Sequence, residues 1–198
     1  MAIAQLPDVR LNYRIDGEVR SPALLLSNSL GTSLTMWEPQ IAALSARFRV
    51  VRYDSRGHGA SQATPGPYSI DQLAGDALAL LDALAIPYAH FCGVSMGGMV
   101  GLWLGVNAPE RIDRLVVANT AAKIGTAESW NARIDAVRKG GLASIAPAVL
   151  ARWFSPQLLE QPTPMIAQLR ATFESASAEG YVASCATTVA ATVRRKRR

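Results

Sequence analysis

The sequence predicts an α/β fold with a mostly parallel sheet, helices on both of its faces, and a helical excursion late in the chain. Three observations predict it. First, the runs "ALLLSNS" (23–29), "FRVVRYDSRG" (48–57), "HFCGVS" (90–95) and "RLVVANT" (114–120) have the nearly continuous apolar character of strands covered on both sides. Second, segments with helical spacing of apolar residues lie between them. Third, no strong strand pattern appears after Ile124, and helical spacing alone remains.

The elements follow in order. "LNYRIDG" (11–17) alternates in polarity and ends in a turn, as an outer strand does. After the 23–29 strand, "WEPQIAALSARF" (37–48) sets Ile41, Leu44, Ser45 and Phe48 at helical spacing. "YSIDQLAGDALALLDALAIP" (68–87) is the clearest helix. Ser69 and Gln72 have the spacing of a capping box, Leu73, Ala77, Leu80, Leu81 and Leu84 form its apolar face, and Pro87 follows its end. A third helix starts after Ser95 and stops near Pro109. "NARIDAVRKGGLASIAPAVLARWF" (131–154) and "MIAQLRATFESASAEGYVASCATT" (165–188) read as helices split by Pro-containing turns. The expected division is a core over 1–123, a helical cap or lid over 124–186, and a basic, disordered tail over 187–198.

Bulk properties narrow the function. A chain of 198 residues, 49% hydrophobic and 18% charged, fits one soluble domain with a sizeable core. The net charge of +5 comes entirely from Arg194, Arg195, Lys196, Arg197 and Arg198, so the body is neutral and a broad nucleic-acid-binding face is not expected. Cys92 and Cys185 have no paired spacing, which predicts buried free thiols and neither a disulfide framework nor a zinc site. The amino terminus lacks a basic segment followed by an apolar stretch, so no secretory signal is expected and the cytoplasm is the expected location.

Residues 91–109 carry no charge, and Gly93, Gly97, Gly101 and Gly105 recur at the spacing of packed membrane helices. A lone span among buried soluble strands would leave those strands without a sheet, so no membrane association is expected. "GVSMG" (93–97) instead matches G-x-S-x-G between a buried strand and a helix. Such a turn strains the serine backbone, requires neighbours without side chains, and lifts the hydroxyl to a helix amino end where negative charge is favoured. Ser95 is thereby the expected nucleophile. The loop "SNSLGTSLTMW" (27–37) follows another strand, and its position makes the Leu30 N–H the expected partner of the Met96 N–H in an oxyanion hole.

"YDSRGHGAS" (53–61) offers His58 and Asp54 as a base and its orienter, but Asp54, Arg56 and Gly57 read better as a turn network with His58 packed inside. His90 enters the central strand and reads as a satisfied, partly buried histidine.

The order of "NSLGTSLTMW", "YDSRGHGAS", "FCGVSMGGMVG" and "VVANTAAKIGT" resembles the α/β-hydrolase-fold proteins, and more narrowly the 3-oxoadipate enol-lactonases of aromatic-compound breakdown. The resemblance covers roughly residues 5–186. It implies a Ser-His-Asp triad in the chain order Ser, Asp, His, with Ser95 as its first member. The acid and base would follow later strands beyond the lid, whereas both histidines here, His58 and His90, precede it. The last strands, acid and base are therefore expected to be missing, and the activity impaired. The implied substrate is a small lactone bearing a carboxylate, with Lys123 and Arg133 as candidate cations by position. No cofactor or metal is implied. The alternatives are another carboxylic-ester hydrolase of the same fold and a non-catalytic remnant. A nucleic-acid or membrane-surface role for the basic tail is a weaker one. The oligomeric state is left open.

Overall fold

In the computed structural model, which describes residues 1–161 and 163–190, the strands are β1 (Ala2–Gln5), β2 (Arg10–Asp16), β3 (Ala23–Ser27), β4 (Arg49–Tyr53), β5 (Ala89–Val94) and β6 (Ile112–Ala118). They form one sheet in the order β1-β2-β4-β3-β5-β6. β2 runs antiparallel to both β1 and β4, and β4, β3, β5 and β6 are mutually parallel. The expectation of an outer strand over 11–17 is corrected: β1 is the edge and β2 lies inside it. β1 escaped notice because it is only four residues long and its apolar residues do not alternate with polar ones, only Ala4 being buried.

The continuous apolar run of β3 follows from coverage on both faces. Leu25 joins the larger core with Val51, Phe91 and the helices α2 (Ile70–Ala83) and α3 (Met96–Asn107). Leu24 and Leu26 face the other way, onto Trp37, Ile41 and α1 (Glu38–Ser45). Each such leucine removed fully from water stabilises the fold by about 2 kcal/mol. α2 begins where its sequence signal stands, with Ser69 Oγ accepting the Gln72 N–H at 3.1 Å.

β6 departs from the expectation of a strand covered on both faces. It is an edge strand among the described residues, and its apolar Val116 is 57% exposed. Leu115 packs toward the α3 side near Phe91 and Gly101.

Beyond β6 come α4 (Ala127–Trp153), α5 (Pro156–Glu160), α6 (Pro164–Glu174) and α7 (Ala178–Ala190). Two corrections apply. The 131–154 helix starts earlier and is broken at Gly141, whose φ of 68° and ψ of −179° are not helical. The 165–188 segment is two helices, because the chain stops at Ser175 and restarts where Ser177 Oγ accepts the Gly180 N–H at 3.0 Å. Apolar spacing persists across both breaks, so periodicity alone reads each pair as continuous. α7 reaches Ala190, so 187–190 is helical rather than tail. The disorder expected for the rest of the tail lies outside the described residues. Among the described residues, no helix is long and apolar enough to cross a membrane.

Candidate active site

Chain order fixes where a site can form. From β3 the chain moves outward to β4, then crosses back to β5 on the opposite side of β3. The loops leaving β3 and β5 therefore diverge, and a crevice opens at the carboxyl ends of these two strands. Ser95 ends β5 and the 28–33 loop leaves β3, so the sheet brings together the residues singled out in the sequence.

Ser95 has φ 55° and ψ −113°, a combination that costs a non-glycine residue about 1–3 kcal/mol. Its surroundings hold it there. The Ser95 N–H donates to Ala118 O at 2.9 Å, its carbonyl accepts the Met99 N–H at 3.0 Å, and the Thr120 hydroxyl donates to the same carbonyl at 2.8 Å. The flanking glycines are required by close approach. A Cβ on Gly93 would collide with Gly97 O, and one on Gly97 would collide with Ser27 O. Ser95 is half-buried, and its Oγ has no hydrogen-bond partner among the described residues. The residue is thus clamped through its backbone while its Oγ makes no hydrogen bond among the described residues.

The opposing loop is held as firmly. The Gly97 N–H donates to Asn28 O at 3.0 Å. Asn28, fully buried, also donates from Nδ2 to Tyr53 O and accepts from Trp37 Nε1, each at 2.8 Å. Asp54 Oδ1 accepts the Leu34 N–H at 2.6 Å, and its Oδ2 accepts from Asn12 Nδ2 at 2.8 Å and Ala60 N at 2.9 Å. Leu30 lies between these anchors. Neither the Leu30 nor the Met96 N–H has an acceptor among the described residues, so both donors are available. Asn28 and Thr120 lie within the segments "NSLGTSLTMW" and "VVANTAAKIGT", but neither was singled out in the sequence, because their clamping bonds are made to residues far along the chain.

The other candidates sit apart. His58 is buried, its Nδ1 3.1 Å from Arg56 O, and burial holds its pKa below the ordinary value. Asp54 serves the loops, and Arg56 makes a bidentate pair with Asp76 on α2 at 2.9 and 2.6 Å. His90 stands at the start of β5, its Nδ1 3.2 Å from Asp113, and five strand residues put it about 16 Å from Ser95. Cys92 and Cys185 form no disulfide, but Cys92 is only half-buried where burial was expected, because β5 presents it beside the exposed strand β6.

Helices α6 and α7 stand directly on this crevice. Gly31, at φ 80°, has no side chain where Phe173 and Tyr181 press against it, with Phe173 Cε2 only 2.6 Å from where a Cβ would be. Gly57 meets Gly180 as closely.

Residues 22–142 match the family described as the alpha/beta hydrolase fold. The chain is 50% identical over 187 residues to 3-oxoadipate enol-lactonase 2 of Acinetobacter baylyi, covering 94% of this chain and 70% of that protein. It is 42% identical to 3-oxoadipate enol-lactonase 1 of the same organism, again over 94% of this chain and 70% of the relative. The crystal structure of the enol-lactonase from Burkholderia xenovorans LB400 superposes with a TM-score of 0.95 at 47% identity, covering 97% of this chain and 75% of that one. With its switch-point crevice and its strained serine between strand and helix, the chain belongs to the α/β hydrolase fold family.

Proposed function

We propose that this protein is a serine-dependent hydrolase that opens 3-oxoadipate enol-lactone to 3-oxoadipate, a step in the breakdown of aromatic compounds. The observation that carries the reaction type is Ser95, held at φ 55° with an unbonded Oγ at the amino end of α3. The substrate comes from the enol-lactonases that it is 50% and 42% identical to.

In this reading Ser95 Oγ attacks the lactone carbonyl carbon. The Leu30 and Met96 N–H groups receive the developing oxyanion, each contributing about 3 kcal/mol to the transition state. The ring C–O bond breaks and the leaving oxygen departs as an enolate, which tautomerises to the ketone. Water then attacks the acyl-serine to release the acid. Helices over 124–186 form the cap that shields this chemistry from water.

Both transfers need a base, and neither His58, enclosed in its turn, nor His90, at the far end of β5, supplies it. A polypeptide of these 198 residues should therefore turn over slowly, by about a hundredfold or more below a serine assisted by a base. Added imidazole, a diffusible base, should raise the rate. The test is hydrolysis of the enol-lactone followed by its ultraviolet absorbance, with and without imidazole, in wild type and Ser95→Ala. The expected result is an imidazole-dependent rate above the buffer blank that disappears in the variant. A rate unchanged by Ser95→Ala, or none above the blank, overturns the reading.

A further inference from the structure

The short turn Leu34–Trp37 folds the Met36 side chain back onto the loop that leaves β3. The turn is fixed on both sides of Met36, by the Leu34 N–H on Asp54 Oδ1 and by Trp37 Nε1 on Asn28 Oδ1. Between these anchors the Met36 sulfur accepts the Ser29 N–H at 3.5 Å. It also lies 3.1 Å from the Thr32 hydroxyl, whose one hydrogen is shared with Ser29 O at 2.8 Å. Ser29 is buried, and its N–H has no other acceptor among the described residues. A thioether is a weak acceptor, but a buried N–H left with no acceptor at all costs more than a weak bond does. The sulfur is thus a support of the residue next to Leu30.

The same side chain is open to solvent. Met36 is half-buried and lines a cavity of about 610 Å³ between α1 and α6, with Pro39, Met165 and Leu169 among the other walls. That space admits water and any molecule of similar size. Met96 and Met99 are buried, at 1% and 0% exposure. Met1 and Met165 are exposed, but their sulfurs accept nothing from residues 28–33 among the described residues. Among the described residues, Met36 alone combines access for a small reagent with a bond to this loop.

We propose that Met36 is a reversible oxidation site through which a peroxide loosens the loop carrying Leu30. The sulfur lone pair attacks the peroxide O–O bond, so that an S–O bond forms as the O–O bond breaks. The departing hydroxide takes the proton from the transferred oxygen and leaves as water. Sulfur loses two electrons, the peroxide gains them, and a thiol-dependent sulfoxide reductase reverses the step. The added oxygen takes a lone-pair direction on the sulfur, where the loop's donors approach. It therefore either wedges against the loop or turns the now polar, bulkier side chain out into the cavity. In both cases Ser29 leaves its present position, and the neighbouring Leu30 N–H moves with it. The consequence for turnover rests on the hydrolase reading above, but the oxidation and the loosening of the loop do not.

The test treats the full chain with hydrogen peroxide, in wild type, Met36→Leu and Met165→Leu, and maps the peptides by mass spectrometry. Wild type should gain one oxygen at Met36 well before Met96 or Met99 reacts. Hydrogen exchange over residues 28–33 should then speed up about tenfold, and the melting temperature should fall by about 3 °C or more. Sulfoxide reductase should restore both. Met165→Leu should respond as wild type does. Met36→Leu, compared with itself before and after peroxide, should not change, which separates Met36 from Cys92 and Met1. Three results overturn the proposal: Met36 untouched while Met1 and Met165 oxidise, exchange and melting unaltered once Met36 is oxidised, or an equal response in Met36→Leu. The imidazole-dependent hydrolysis should fall about tenfold or more on oxidation of wild type. If the untreated protein shows no such hydrolysis while exchange over residues 28–33 still follows Met36 oxidation, the hydrolase reading ends and the oxidation site stands.

Discussion

The Gly97 N–H donates to the main-chain carbonyl of Asn28 at 3.0 Å, joining the first turn of α3 to the loop that leaves β3. This one bond relates the serine turn to the loop that carries Leu30. It holds its length because the Asn28 side chain is fixed at both ends, to Trp37 and to Tyr53.

Asn28→Ala should therefore cost about 3 kcal/mol, because it strands a buried indole N–H and a buried carbonyl together. Trp37→Phe should cost less, since it frees only one partner. Urea unfolding of both single variants and the double variant should give a coupling energy of about 1 kcal/mol. Strict additivity would mean that the Trp37–Asn28 bond contributes nothing.

At ordinary backbone angles glycine is less stable than alanine. Ser95 reverses the expected sign, since its φ of 55° is strained for any residue with a Cβ. Ser95→Gly should be more stable than Ser95→Ala by about 1 kcal/mol in thermal or urea melts. Both variants should lose the imidazole-dependent hydrolysis. An alanine variant as stable as the glycine one would show that the turn relaxes and stores no strain.

Gly97→Ala probes the same corner from the other side. The new methyl would meet Ser27 O and lie 2.8 Å from Asn28 O, both of them backbone atoms that cannot step aside cheaply. A loss of about 3 kcal/mol or more is expected. Gly75→Ala is the control, because a Cβ there meets nothing within 4 Å, and it should be neutral or stabilising on exposed helix. Similar melting of the two variants would contradict the close packing at this turn.

His58 predicts a pH dependence. Burial lowers its pKa in the folded state below the ordinary 6.5, so the unfolded chain binds the extra proton first. Its neutral form is then compatible with folding above about pH 6.5, and stability falls as the pH drops below that value toward the folded pKa. The slope from this residue approaches about 1.4 kcal/mol per pH unit within that window. Urea midpoints compared at pH 7.5, 6.5 and 5.5, values chosen to span roughly one unit either side of the free histidine, should fall on acidification. His58→Gln should flatten that fall, and an unchanged slope would assign it to other groups.

The sequence by itself determined the elements whose signals are local. Leu24 to Leu26 read as a doubly covered strand because each face buries its own leucines. Ser69 marks the start of α2 because a cap acts within one turn. Gly93, Ser95 and Gly97 announce their turn because the collisions they avoid lie within a few residues or on the next strand. β1, with one buried residue, had no such signal, and the breaks at Gly141 and Ser175 left the apolar spacing undisturbed. Only the tertiary structure decided that β6 stands at an edge and that Asn28 and Thr120 clamp the serine corner. These depend on which strands lie side by side and how helices cross them, relations between residues far apart in the chain. No local propensity encodes them.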